Sequence, residues 1–113
     1  MTATYDFTAG QGETFDRTVT WKIDDVAVNL TGYTARLQIR KTHKSTSAVV
    51  SLTSSSGLTL GGSAGTIQIV ISATATAALT AGKYVYDLEL VSAGGVVTRV
   101  IEGAFELTPE VTR

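Results

Sequence analysis

The sequence predicts an all-β protein, an antiparallel β-sandwich of about seven to nine strands forming a single domain over 1–113. Three observations predict it. Apolar residues recur at every second position in one segment after another, while helical spacing is nearly absent. Turn-forming clusters separate those segments: Asp24-Asp25, Leu30-Thr31-Gly32, Ser54-Ser55-Ser56-Gly57, the GGSAG run at 61–65, and Ala93-Gly94-Gly95. The third is the stretch LTAGKYVYDLEL at 79–90, in which Gly82 admits the chain to a strand that opens with two tyrosines two apart.

In chain order, a short strand is expected near 4–8. The run TFDRTVTWKI follows, with Phe15, Val19, Trp21 and Ile23 on the apolar side and Asp16, Thr18, Thr20 and Lys22 on the polar side. Trp21 is expected to add bulk to the core. After the Asp24-Asp25 turn and a short strand near 26–29, Tyr33, Ala35, Leu37 and Ile39 alternate with Thr34, Arg36, Gln38 and Arg40. Short strands near 48–52 and 57–60 precede the run in which Ile67, Ile69 and Ile71 alternate with Thr66, Gln68 and Val70. The Ala-rich SATATAAL at 72–79 breaks the period and reads as one or two helical turns with Ser72 as N-cap. Tyr84, Tyr86, Leu88 and Leu90 then face inward, and a last strand presents Val97, Ile101, Phe105 and Leu107 before Pro109 stops the ladder.

Gly82, Tyr84 and Tyr86 form the expected structural corner. In immunoglobulin-like sandwiches a tyrosine near the start of the sixth strand sends its hydroxyl back to the preceding crossover, two residues before an inward core position. Tyr84 occupies the first place and Tyr86 the second, so the sandwich is expected to be Ig-like, with a structural role for both rings.

Composition restricts function. Charged residues make up 17% of the chain and net charge is −1, so no broad field draws it to nucleic acid or an anionic membrane. The absence of cysteine removes disulfides, thiolate chemistry and Cys-based metal sites. The N-terminus lacks the pattern of a secretory leader, and no run approaches the roughly 18 apolar residues of a membrane span.

No constellation points to catalysis, and the chain is expected to be non-enzymatic, with no cofactor, metal or small-molecule substrate. His43, the one histidine, sits in a polar segment with Arg36, Arg40, Lys41 and Lys44 and reads as a solvated loop residue. Asp24 and Asp25 read as turn residues, because a Ca²⁺ loop needs several oxygens at set spacing. The glycine clusters lack the Lys-Ser/Thr of a phosphate loop. Asp87, Glu89, Glu102 and Glu106 lie on polar strand faces, where a glycosidase pair would require a cleft.

Two anomalies remain. Arg17 and Arg99 interrupt otherwise apolar parities, which a strand end or bulge explains more simply than an interface. Val70, Val85, Val91, Val96 and Val100 stand on the outer parity of the late strands, so an apolar strip outside the core is expected, as a candidate protein interface.

Gln11-Gly12 leading to Trp21, the Leu30-Thr31-Gly32-Tyr33 turn, and Leu79-Thr80-Ala81-Gly82 leading into Tyr84 and Tyr86 carry a family resemblance. Over nearly its whole length, with a variable middle at 42–64, the chain resembles small β-sandwich proteins of tailed bacteriophages and prophages, similar to tail and baseplate domains. The resemblance implies a virion structural protein, an assembly adaptor or decoration module of tail or capsid. It would be made in the host cytoplasm and contact other virion proteins, with several copies of itself in the particle. The alternative is a carbohydrate- or host-surface-binding module using Tyr5 and Tyr33 as stacking platforms.

Overall fold

The computed structural model describes residues 3–111, and the fold is the Ig-like β-sandwich expected from alternation. Eleven strand segments are present among the described residues: β1 (Ala3–Thr4), β2 (Phe7–Gly10), β3 (Phe15–Thr20), β4 (Lys22–Ile23), β5 (Val26–Ala27), β6 (Thr34–Arg40), β7 (Val50–Thr53), β8 (Leu58–Leu60), β9 (Thr66–Ile71), β10 (Gly82–Val91) and β11 (Val97–Thr108). The count exceeds the expected range because several segments are only two residues long, below what alternation can register. Helix α1 (Ala73–Ala77) stands where the Ala-rich run placed it, and the Ser72 hydroxyl caps it by accepting from the Ala75 N–H at 3.1 Å.

The larger sheet runs β1-β11-β10-β6-β7, with β2 also on β11; the smaller runs β3-β9-β8; β4 and β5 make a separate hairpin. The N-terminal strand lies along β11 in two pieces and pairs with it in parallel, a departure from the all-antiparallel expectation. Period-two patterning tells which face is buried and leaves the direction of the neighbour open.

The core lies between the sheets. Ile67, Ile69 and Ile71 from β9 meet Leu37 and Ile39 from β6 and Tyr84, Tyr86, Leu88 and Leu90 from β10, all buried. Phe7, Phe15 and Phe105 complete it, with ring centroids 5.3 Å apart for Phe7–Phe15 and for Phe15–Phe105. Aromatic pairs at such spacing and tilt add about 0.5–1.5 kcal/mol each beyond burial. One end is closed by α1: the fully buried Thr76 hydroxyl donates to the Glu13 carbonyl at 2.8 Å and accepts from the Gly12 N–H at 3.1 Å.

Two inward assignments are corrected: Ile23 and Val97 are exposed. Trp21 is half-buried at the margin of the core, packed against it and edge-on to Tyr33 with centroids 6.3 Å apart. Ile23 leaves the sheet because Asp24 and Asp25 both take positive φ, 51° and 65°, and turn the chain into the β4–β5 hairpin. Val97 changes face because of a bulge in β11.

That bulge decides the outer surface. Leu88 is paired with Ile101 and the next residue, Glu89, with Arg99, so Val100 is the extra residue. Val100 and Ile101 are both buried, and beyond them the parity inverts. Arg99 and Val97 therefore face solvent while Thr98 takes the inward place opposite Leu90.

Candidate functional site

Two surfaces can do something chemically: the outer face of the larger sheet and the loop end of the sandwich. On the outer face, β10 presents Val85, Asp87, Glu89 and Val91 between Arg40, Gln38, Arg36 and Thr34 of β6 and Ala104, Glu102, Arg99 and Val97 of β11. The result is a lattice of alternating charge. Arg36 Nε meets Glu89 Oε1 at 2.7 Å, and Arg99 reaches Asp87 at 3.5 Å and Glu102 at 3.4 Å.

Asp87 is the strained member. It stands directly opposite Glu102, with Glu89 two residues along its own strand. Burial first, then the Glu89 carboxylate, and more weakly Glu102, push its carboxyl above the ordinary range, against the lowering effects of Arg99 and His43. His43 is exposed, as expected, yet it lines a polar cleft of ≈ 240 Å³ with Asp87, Arg99 and Glu102. The bulge brings this group together, and the signal for it in sequence is Arg99 standing on an apolar parity.

The expected valine strip is divided. Val70 belongs to the smaller sheet and faces the opposite side of the molecule; Val85 and Val91 are half-buried with two carboxylates between them; Val100 is buried at the bulge. Val96 is 65% exposed, and it joins a different surface.

That surface is the loop end. The Leu30 N–H donates to the Gly62 carbonyl at 2.9 Å, the Trp21 N–H to the Gly65 carbonyl at 2.8 Å, and the Val28 N–H to the Trp21 carbonyl at 3.0 Å. The first two bind the 21–33 segment to the 61–65 turn, and the third closes the segment on itself. Gly32 lies against Ala93, which brings in the β10–β11 turn. Ile23 and Val26 on the hairpin, with Val96 and Val97 beside that turn, are four of the seven large apolar residues exposed among the described residues. Sequence parity placed Ile23 inward and did not single out Val26, because exposure there depends on where the hairpin leaves the sheet.

The corner residues have defined partners. The Tyr84 hydroxyl donates to the Thr80 carbonyl at 2.5 Å, and the Lys41 ammonium lies 4.9 Å from its ring centroid. Gly82 has φ 149°, open to glycine and rarely to other residues. The Tyr86 hydroxyl donates to the Tyr5 carbonyl, and burial foremost, then Asp6 and Tyr5, raises its pKa above the ordinary phenol value.

Arg17 lies at the edge of the smaller sheet, its guanidinium carbon 4.9 Å from the centroid of Phe15. Tyr5 is exposed and packs on Phe7 at 5.0 Å, whereas one side of Tyr33 is occupied by Trp21. Among the described residues no group of three or more His, Asp or Glu gathers to hold a metal.

No family model matches the chain, and no curated protein matches it in sequence. Solved structures do match in shape. CopC from Methylosinus trichosporium OB3b aligns with TM-score 0.51 and 12% identity, over 99% of this chain and 90% of that one. An extracellular domain of the voltage-gated sodium channel beta4 subunit gives TM-score 0.47 and 10% identity, over 98% and 96% of the two chains. The likeness to CopC, at such identity, establishes the fold alone.

Proposed function

We propose that this protein is a non-enzymatic assembly module, a structural component of a tailed-phage or prophage particle that docks on other virion proteins. The observation that carries the docking reading is that Ile23, Val26, Val96 and Val97 are all exposed on segments at the same end of the sandwich. Apolar side chains on short, hydrogen-bonded loops lose water when a partner covers them at a smaller cost of loop ordering than free segments would carry. The virion assignment rests on the sequence resemblance at Gln11-Gly12, Leu30–Tyr33 and Leu79–Tyr86. Binding rather than turnover also suits an outer face whose ionisable groups are engaged with one another across strands.

The test is mass spectrometry of purified particles produced from the genome that encodes the chain. The chain is expected at a fixed copy number relative to capsid or tail proteins. Its absence from the particles would sink the virion reading, and docking unaffected by Val97→Glu or Ile23→Glu would sink the assignment of the loop end.

A further inference from the structure

β3 is the edge of the smaller sheet, and among the described residues no strand pairs with its outer side. On the far side of β9, the Val70 N–H donates to the Gly57 carbonyl at 2.8 Å and the Gly61 N–H donates to the Thr66 carbonyl at 2.8 Å. The even-numbered backbone groups of β9 therefore face β8, and the groups of Ile67, Ile69 and Ile71 face β3. Their opposite residues are Val19, Arg17 and Phe15, which take up the ladder bonds. Asp16, Thr18 and Thr20 consequently turn their N–H and C=O groups outward. The row continues into β4: the Val28 N–H bonds the Trp21 carbonyl, so Lys22, opposite Ala27, is a non-bonded pair whose backbone groups also point away.

Arg17 Nη1 covers the Asp16 carbonyl at 3.0 Å; the outward groups of Thr18 and Thr20 meet no partner among the described residues. In the ABED sheet of constant-type immunoglobulin domains a further strand lies at this edge. Here the N-terminal strand runs along β11 instead from Ala3 onward, and no strand among the described residues covers the side of β3. A cleft of ≈ 350 Å³ between the two sheets opens beside it, lined by Val19, Trp21, Ile67, Val100 and Ile101 among others.

We propose that β3 pairs antiparallel with β3 of a second copy of this chain, making one continuous sheet across a two-fold axis. The side chains select the register. With Val19 on the axis, Asp16 stands opposite Lys22 of the second copy, Thr18 opposite its Thr20, and Arg17 opposite its Trp21. Each of these pairs occurs twice. The acid meets a base on the outer face, and on the inner face a guanidinium meets an indole over the apolar cleft. Moving the axis to Arg17 sets two guanidinium groups face to face, and moving it to Thr20 sets Asp16 against Asp24. Opposite charge thus singles out one alignment, and the free row supplies the matching hydrogen bonds. The inference deepens the assembly reading above and rests on it, since a particle holds copies close together; self-association in solution tests it separately from presence in the particle.

Sedimentation velocity over a concentration series is the experiment. The wild-type chain is expected to dimerise with a Kd of about 1 mM or tighter. Asp16→Lys and Lys22→Asp each replace two opposite-charge pairs by like-charge pairs and are expected to weaken the dimer at least about tenfold. The double variant Asp16→Lys/Lys22→Asp reverses both charges and is expected to recover it. Both positions are exposed, so the monomer stays folded. Thr18→Pro removes an outward donor without touching the β3–β9 ladder and is also expected to weaken the dimer; if it unfolds, the charge reversal decides. A wild-type chain that stays monomeric throughout, or a dimer indifferent to all these changes, overturns the proposal and leaves the edge to a foreign strand. Single variants that weaken the dimer without recovery in the double variant overturn the register.

Discussion

The Tyr86 hydroxyl donates to the backbone carbonyl of Tyr5 at 2.5 Å, tying the middle of β10 to the break between β1 and β2, 81 residues away in sequence. At that break the Asp6 carboxylate accepts from the Ala104 N–H at 2.9 Å, and the Tyr5 N–H donates to the Glu102 carbonyl at 2.9 Å. The parallel N-terminal strand is thus held by polar contacts at its weakest point, where its own ladder is interrupted.

Removing either corner hydroxyl should show what such a bond contributes. Tyr84→Phe and Tyr86→Phe are each expected to lower stability by about 1 kcal/mol in urea denaturation, since each leaves a carbonyl without its donor. Wild-type stability for either variant would show that water replaces the hydroxyl.

Tyr86 also predicts an alkaline slope. Its folded pKa lies above the unfolded value of about 10, so the folded state keeps a proton that the unfolded state releases. Stability should fall as pH rises from about 10 towards the raised value, and Tyr86→Phe should lack that part of the slope. The comparison is urea denaturation of the two chains at a series of alkaline pH values.

Gly103 is the point of closest approach to the N-terminal strand. A Cβ there would lie 2.1 Å from the Tyr5 carbonyl oxygen, so Gly103→Ala must push that strand off β11. A loss of about 1–3 kcal/mol is expected. Hydrogen exchange should place the new opening at 3–10, and an unchanged exchange pattern there would refute the account.

Asp87 gives a prediction of opposite sign to the usual salt-bridged carboxylate. Its folded pKa is raised, so the folded state holds the proton more tightly, and stability is lost as pH rises from the unfolded value near 4 through the folded one. Asp87→Asn should be more stable than wild type at neutral pH and should flatten that part of the profile. Thermal melts between acid and neutral pH check it; destabilisation at neutral pH would mean that the Arg99 contact outweighs burial and Glu89.

The valines now divide by position. Val100→Glu places a charge in the core at the bulge and should destabilise the monomer by several kcal/mol. Val97→Glu lies at an exposed position and should leave the melting temperature nearly unchanged while weakening docking. Circular dichroism melts separate the two, and equal melting points would contradict the bulge.

Alternation in 33–40, 67–71 and 84–90 is enough to give a two-layer all-β sandwich, its inner faces and the corner tyrosines, because a strand buried on one side must place its apolar residues every second position. Ser72 and the alanines after it likewise locate α1 by local chemistry alone. The direction of the N-terminal strand, the exit of the β4–β5 hairpin and the extra residue at Val100 were decided by the tertiary structure. A one-residue bulge inverts every side chain beyond it, and only the partner strand fixes where it falls. For that reason Arg99 joins the acidic lattice and Val97 the loop end, and the surfaces open to partners emerge only once the sheets are assembled.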